Sequence, residues 1–568
     1  MNVTKEEERH RRDNVRGVYR TRRSDNLPEI TLISGMPSMH AVPMRRLAGY
    51  VNKHTNYRAN LVMWVTTVLP AKSSFQEGNT CGFTPDIVEQ LVRLAANSDV
   101  VGLSVYSFSE AMADQITVAV KQAYPEKIVI WGGLIPTVAP NHCVEKADFI
   151  VVGEGEVPLA QFLNTMEEGG DLHAIDGIWS KKNGEIISNP MVPLAMELDA
   201  LGFPEYLIEN SYVIRDGVLR HLPAEEEKRL VDHTMWAVVT QGCPHKCTYC
   251  AAAALTKVNS KYGALRRYSV DGLINYMKRT KEKLDLRAVY FIDDLFPEIP
   301  LRAIKKFSSK WQEEVRMPFH VMGLFPRAFN EEKFNYLMSA GLRRVRTGIQ
   351  AGSERVRREV YKRRYTNDEL IELSRKISRR STSMSLSDYD FMLDLPWESD
   401  EEKIEGLRLL SRLEPPFTIN CYHFMFMPST ELTEQAKAEG IFDSDFDRAV
   451  DENYDPVNNE PTYINLLYFL YMVVHIPPSI LKYLISDRML KRNIRIPRFV
   501  FRGILFLKDL RTVYYRVRDQ DPTNMPWFLS PLVLRRFAEG RIGRSSHGNT
   551  GDADQTRADI KESAGSRL

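Results

Sequence analysis

Short apolar runs recur along this chain at intervals that leave room for one helix each, and they do so in two separate series. The first comprises residues 30–34, 61–65, 100–105, 128–131 and 149–152, with spacers such as 86–96 and 111–123. Strands joined by helix-length crossovers build an open, doubly wound parallel sheet. The second series runs from Thr234 to about Phe426, with candidate strands at 237–240, 288–292, 320–323, 344–348, 385–393 and 418–426. Helical spacers such as 270–284 and 301–315 separate them, and six such repeats suit a partial (β/α) barrel. A chain of 568 residues is too long for one ordinary core, so two or three domains are expected. Both α/β architectures bind ligands beyond the carboxyl ends of their strands, which is where candidate site residues are sought.

The second series opens on Val238-Val-Thr-Gln-Gly-Cys-Pro-His-Lys-Cys-Thr-Tyr-Cys250. The preceding stretch, 235–240, is apolar and β-branched like a buried strand, and Gly242 and Pro244 turn the chain outward at its end. Thiolates at Cys243, Cys247 and Cys250 can hold three irons of a 4Fe-4S cluster and leave the fourth iron without a protein ligand. A structural zinc site is the plainer alternative, but it closes a tetrahedron with four ligands, and only His245, lying between the cysteines, is near in sequence. Six cysteines in so long a chain make no disulfide framework, and a reducing cytoplasm suits them. Lys plus Arg (76) nearly balances Asp plus Glu (74), so no nucleic-acid partner is expected.

A CxxxCxxC loop at the end of a first strand resembles the radical S-adenosylmethionine (radical SAM) enzymes. The resemblance implies three cofactor-contacting segments in order: Asp293 and Asp294 in Phe291-Ile-Asp-Asp-Leu-Phe296, for the amino group of S-adenosylmethionine; Gln350 and Ser353 in Gly348-Ile-Gln-Ala-Gly-Ser353, for its ribose; and Pro396 in Leu393-Asp-Leu-Pro-Trp-Glu398. Gln350 stands where Glu is more usual, and Asp394 takes the place of a Gly while Trp397 widens the loop. Met427-Pro-Ser-Thr430 matches a sixth rim segment. Tyr249 falls where the family keeps an aromatic beside the adenine, with ordinary packing as the alternative. Arg327 and Arg346 are candidates for a substrate carboxylate or phosphate, and Cys421 for a hydrogen donor facing the barrel, against an inert buried thiol.

The first series resembles the cobalamin-binding domain that precedes the barrel in one large class of these enzymes. Its strand ends supply Gly35, Pro37, Ser104, Gly132, Gly133, Thr137, Gly153 and Glu154, small or polar residues that let a bulky cofactor approach the backbone. The Asp-x-His-x-x-Gly motif that supplies a lower histidine ligand elsewhere is absent, and His40, between Ser38 and Pro43, does not fit it.

The expected organisation is a solvated arm (1–28), a cobalamin-binding-like domain (29–170), a linker with an Asn183-Gly184 hairpin (171–232), the barrel (233–442), a helical cap (443–540) and a disordered tail (541–568). The fold class is α/β. Expected cofactors are a 4Fe-4S cluster, S-adenosylmethionine and cobalamin; expected partners are a flavodoxin- or ferredoxin-type reductant and a small-molecule or lipid substrate. Methyl transfer to an unactivated carbon is the outcome the resemblance implies, with a non-methylating rearrangement, cyclisation or oxidation as alternative, and a non-catalytic iron-sulfur sensor as the alternative of another class. Pro477-Pro478 interrupts the apolar C-terminal stretch before a spanning length, so no transmembrane span is expected, while a platform for a greasy substrate or a membrane surface stands beside the cap reading.

Overall fold

The structure is a computed structural model and describes residues 27–65, 83–215, 217–380, 387–441, 460–491 and 496–519. Expectations for the arm (save its last two residues), for residues 442–459 and for the tail lie outside the described residues.

The first series forms β1 (Glu29–Ile33), β2 (Arg58–Trp64), β3 (Val100–Ser104), β4 (Ile128–Gly132) and β5 (Phe149–Val151), all parallel. Helices α1 (Val42–His54), α2 (Pro85–Ala95) and α3 (Glu110–Ala123) make the crossovers up to β4, two short helices (Leu134–Val138 and Pro140–Cys143) connect β4 to β5, and α4 (Glu156–Glu167) follows β5. Two hairpins extend this sheet. β6 (Ile178–Lys182) and β7 (Glu185–Ser188) turn at Asn183 and Gly184, both at positive φ, and add antiparallel to β5. β8 (Ser211–Arg215) and β9 (Val218–His221) add beside β2, giving nine strands in the order β7-β6-β5-β4-β3-β1-β2-β8-β9. The stretch expected to link two domains thus pairs onto both edges of the first sheet, covering strand edges that would otherwise be open. Apolar layers lie on both sheet faces, one centred on Trp131 and Ile116, the other on Ile130 and Phe162. The buried Trp131 indole donates to Thr117 at 2.8 Å, so no polar atom there is left unpaired.

The barrel strands are β10 (Thr234–Ala237), β13 (Ala288–Phe291), β14 (Phe319–Val321), β15 (Leu342–Gln350), β16 (Ser387–Leu393) and β17 (Phe417–His423), parallel and in that order; β11 (Thr240–Gln241) and β12 (Arg266–Arg267) form a separate small ribbon. Helices α5 (Val270–Leu284), α6 (Leu301–Lys310), α7 (Glu331–Ala340), α8 (Asn367–Ser378) and α9 (Asp400–Arg412) intervene. Ser399 and Thr366 begin α9 and α8 with reciprocal capping boxes to Glu402 and Glu369. The first barrel strand ends three residues earlier than 240, because the Val239 and Thr240 amides donate to the Asp293 carboxylate (2.8 Å from Val239) instead of to a neighbouring strand.

Beyond the barrel, α10 (Tyr463–Tyr471), α11 (Pro478–Leu484) and α12 (Arg498–Asp519) pack a layer of Leu467, Tyr468, Phe469, Leu481, Phe501 and Ile504 against the outward residues of α9, β16 and β17. The cap therefore covers the flank of the edge strand. The Tyr468 hydroxyl donates to the Lys403 carbonyl at 2.7 Å, and a Cβ on Gly406 would come within 2.0 Å of that hydroxyl oxygen.

Candidate active site at the barrel rim

Cys243, Cys247 and Cys250 are all unoxidised; the first two are buried and the third is half-buried. The loop that carries them crosses the chain at close range. Gly242 has φ 95°, and a Cβ there would meet the Ala264 carbonyl oxygen at 2.1 Å, so only glycine fits. Thr248 donates through its amide to Tyr361 and through its hydroxyl to Val360 (2.5 Å), and its carbonyl accepts from Leu432. Cys250 immediately precedes the helix Ala251–Val258, whose free amides favour negative charge on its sulfur. Burial foremost, with Asp294 and the other cysteines adding to it, pushes the Cys243 thiol up to about 12. Burial, then Asp294, pushes Cys250 to about 11. Burial of this kind makes the thiols costly to ionise unless a cation neutralises them. Three mutually interacting thiols at this spacing suit an iron-sulfur cluster.

Arg363, buried and unanticipated from the sequence, ties this loop to the barrel. Its guanidinium reaches Cys247 Sγ (3.6 Å), the Tyr249 hydroxyl (3.1 Å), the Gly348 carbonyl (2.6 Å) and the Tyr365 hydroxyl (3.0 Å), and lies over the Phe325 ring. The only sequence signal was the basic run Lys362-Arg363-Arg364, which gives no hint that its middle member turns inward.

The segments expected to hold S-adenosylmethionine divide. Asp294 is exposed at the rim and close enough to raise Cys243 and Cys250, and Gly323, at φ 80°, lets β14's loop close on its carbonyl. Gln350 sits at φ 72° after a register shift between β15 and β16, a bulge that re-aims its side chain beside Arg363. Tyr249 packs on Tyr361 (4.8 Å between ring centroids), next to Leu395 and Trp397, which flank the exposed Pro396. Asp293 and Ser353 are buried behind the rim. Asp293 Oδ1 accepts from Val239 and Thr240 under the cysteine loop while its Oδ2 is buried without a partner among the described residues, and burial, offset only in part by those bonds, pushes its carboxyl up to about 7. Ser353 is fully buried and donates to Glu402 at 3.1 Å.

Below the rim the barrel interior is polar. Arg346 donates through its Nε to both oxygens of Asp390 (2.9 and 2.7 Å) and contacts the Tyr422 hydroxyl, the Asn420 side-chain amide donates to Asp390 (3.0 Å), and Lys508 from α12 donates to Asn420 (2.8 Å). Tyr290 and His320 line the same face, with rings 5.0 Å apart. Arg346 is thus an interior residue already paired with carboxylate, whereas Arg327 is exposed and paired with Glu369 at 2.7 Å. Cys421 points the other way from Asn420 and Tyr422, into the layer under α10, and burial raises its thiol strongly; it is an inert core residue and cannot donate hydrogen to the interior.

On the first sheet, a cavity of about 180 Å³ opens at the carboxyl ends of β3, β4 and β5 and runs under α1 and α4. Ser104, Gly132, Gly133, Gly153 and Glu154 line it, with Leu32, Ile130 and Leu159 as an apolar floor. A Cβ on Gly102 would meet Leu32 at 2.7 Å and narrow the slot. Gly35, Pro37 and Thr137 do not line it. Gly35 allows β1's loop to pass Ser104 (2.0 Å from an added Cβ), and the Thr137 hydroxyl braces the loops at Gly133 (2.7 Å) and Gly153 (3.1 Å). A deep apolar slot with a backbone-lined rim and the buried, unpaired Glu154 Oε2 fits a large flat cofactor with polar edges. His40 is occupied elsewhere, stacked on Trp236 at 5.0 Å.

The two sites meet. Glu154 pairs with Arg266 of β12 at 2.8 Å. Gln241, two residues before Cys243, donates to Glu154 (3.1 Å) and accepts from Arg46 (3.0 Å) when its amide is oriented to satisfy both, and Arg46 is itself paired with Glu156 at 2.6 Å.

This geometry defines a class of protein: an open sheet with a cavity at its strand ends, set against a barrel that carries a three-cysteine loop. Family comparison agrees on both halves, with residues 62–163 matching the B12 binding domain and 237–410 the radical SAM superfamily. Three curated relatives are similar over part of the chain. An uncharacterized methyltransferase of Pyrococcus horikoshii is 25% identical over 354 residues, covering 60% of this chain and 70% of that protein. The anaerobic magnesium-protoporphyrin IX monomethyl ester cyclase of Synechocystis is 27% identical over 172 residues (29% and 31%), and the cobalamin-dependent radical SAM methyltransferase TokK of Streptomyces tokunonensis 24% over 213 (37% and 28%). The fold is shared with the cobalamin-dependent S-adenosylmethionine radical enzyme OxsB, at TM-score 0.55 and 14% identity over 90% of this chain and 84% of that one. The chain belongs to the cobalamin-binding-domain-containing radical SAM enzymes, and its cofactors are a 4Fe-4S cluster, S-adenosylmethionine and cobalamin.

Proposed function

We propose that this enzyme methylates an unactivated carbon of a small-molecule or lipid substrate. The observation that carries the reading is the continuity of the two sites through Gln241, which touches the cobalamin cavity at Glu154 and Arg46 and lies two residues from the first cluster cysteine. When bound, the cluster supplies an electron for reductive cleavage of S-adenosylmethionine and cobalamin carries the methyl group. The chain's own contribution is placement and exclusion of water. Cys243, Cys247 and Cys250 hold the cluster; Arg363 fixes Cys247 and Tyr249 relative to β15; Asp294 and Gln350 offer polar contacts to the amino group and ribose of S-adenosylmethionine, with Tyr249 and Pro396 beside it. The interior face of Tyr290, His320, Arg346, Asp390 and Tyr422 supplies donors and acceptors for a polar group of the substrate. A pocket of about 350 Å³ beside Cys247, lined by Lys246, Arg327, Lys362 and Arg364 with one acidic residue, Glu298, suits the approach of an acidic flavodoxin- or ferredoxin-type donor.

A second reading is a non-methylating radical reaction with the same cofactors, and it is supported by the similarity to a cyclase over 172 residues. The two are separated by incubating anaerobically reconstituted protein and reductant with methyl-labelled S-adenosylmethionine and a small-molecule and lipid extract. Label in an organic product supports methylation. A transformed but unlabelled product supports the second reading.

A further inference from the structure

Helix α12 is apolar on two opposite sides. At about 100° per residue, Val500, Phe501, Ile504 and Leu505 fall on the side packed against α10 and the barrel flank. Phe499, Leu507 and Leu510 fall on the other and are 72%, 51% and 42% exposed. Gly503 lies between them on that outer side, with nothing within 4 Å of the position its Cβ would take. Arg498 and Arg502 are exposed along one border of this stripe. A second exposed apolar group, Val474, Ile480 and Tyr483, stands at and before α11, with the exposed Lys482 among them.

The charge around the stripe is mainly basic. From residue 487 to 511 the sequence holds eight Lys or Arg against two acidic residues, Asp487 and Asp509, within a chain whose net charge is +2. Nucleic-acid phosphates would match the charge and leave the phenylalanine and leucines without a partner. A bilayer containing anionic lipids matches both features, since apolar side chains enter the acyl boundary while Lys and Arg stems extend to the headgroups. Among the described residues no helix is long and apolar enough to cross a membrane, so the contact is a peripheral one.

We propose that the outer face of α12, bordered by Arg498 and Arg502, forms a peripheral docking surface for an anionic lipid bilayer, separate from the face that caps the barrel. Full-length protein is sedimented with vesicles of phosphatidylcholine alone or with a third phosphatidylglycerol, at low and high salt. The expected result is binding to the phosphatidylglycerol vesicles, weakened on the order of tenfold at high salt. Phe499→Ser with Leu507→Ser should weaken it by on the order of tenfold. Arg498→Glu with Arg502→Glu should remove the preference for anionic vesicles. All four positions are exposed, and an unchanged thermal midpoint checks that the variants fold. The proposal is overturned if the parent protein stays in the supernatant with phosphatidylglycerol at low salt, if both double variants bind as the parent does, or if the face instead joins two copies, seen as a dimer that Phe499→Ser with Leu507→Ser dissociates.

Discussion

Cys243, Cys247 and Cys250, the cysteines proposed to hold the cluster, are each held by a different contact. Cys243→Ala, Cys247→Ala and Cys250→Ala should each abolish the 4Fe-4S signal after anaerobic reconstitution, whereas Cys421→Ala, in the outer layer, should keep full iron and sulfide. Arg363→Met should leave a cluster that forms but loses iron faster to a chelator, and should weaken S-adenosylmethionine binding by on the order of tenfold, since the guanidinium's links to Cys247, Tyr249 and Gly348 are broken together. Titration supplies another test. Burial foremost, with Glu402 and Asp394 adding to it, pushes the Glu398 carboxyl up to about 8. Its folded-state value lies above its unfolded one, so its protonated form favours the fold, and stability is lost as pH rises toward 8. Glu398→Gln should flatten this fall, measured as the denaturation midpoint between pH 5 and 9. The three cysteines were legible because their spacing alone carries the chemistry. Arg363 was not, because its contact with Cys247 spans 116 residues and nothing local marks it.

Among the elements, the loop after β16 joins rim to cap. Asp394, where related sequences are expected to carry glycine, has φ 64° and accepts from Asn465 (2.7 Å) and the Glu460 amide (2.9 Å), with Lys403 and His423 3.5 and 3.4 Å away. Burial opposes its charge, but the bonds from His423, Asn465 and Glu460 outweigh this and hold its carboxyl below the usual range. Asp394→Gly should relieve the backbone strain yet loosen α10 by about 1–3 kcal/mol, seen as faster amide exchange across Tyr463–Tyr471; unchanged exchange would show that the latch contributes nothing. The periodicity of apolar runs located most parallel strands of both series, since a buried parallel strand has no other sequence pattern, but it missed the β8–β9 hairpin and the β11–β12 ribbon. It failed where a side chain captured the backbone, as Asp293 does at Val239 and Thr240. It also failed to tell the two faces of β17 apart, because Cys421 and its polar neighbours alternate and the pattern does not say which side is inside.

At the scale of the molecule, the cavity proposed for cobalamin and the cysteine loop proposed for the cluster are held in register by buried charge. Arg45 and Glu227, both fully buried and 2.7 Å apart, fasten α1 to the segment that leads into the barrel. Glu227→Ala should cost about 3–5 kcal/mol, by leaving a buried guanidinium without its partner. Gly102→Val, which narrows the slot against Leu32, should weaken cobalamin binding at least about tenfold while leaving the cluster spectrum unchanged. This division of the molecule into two cofactor sites was readable from the strand-end glycines and the cysteine triplet, but the Gln241, Arg46 and Arg266 contacts that join them were not, since each lies far in sequence from its partner. The central claim is that both cofactor sites serve one methyl transfer, and it is tested most directly by counting the two coproducts of S-adenosylmethionine. With reductant, cobalamin, cluster and a substrate-containing extract, S-adenosylhomocysteine and 5′-deoxyadenosine should both form, and Gly102→Val should suppress the first far more than the second. Formation of 5′-deoxyadenosine alone, with cobalamin fully bound, would contradict methyl transfer.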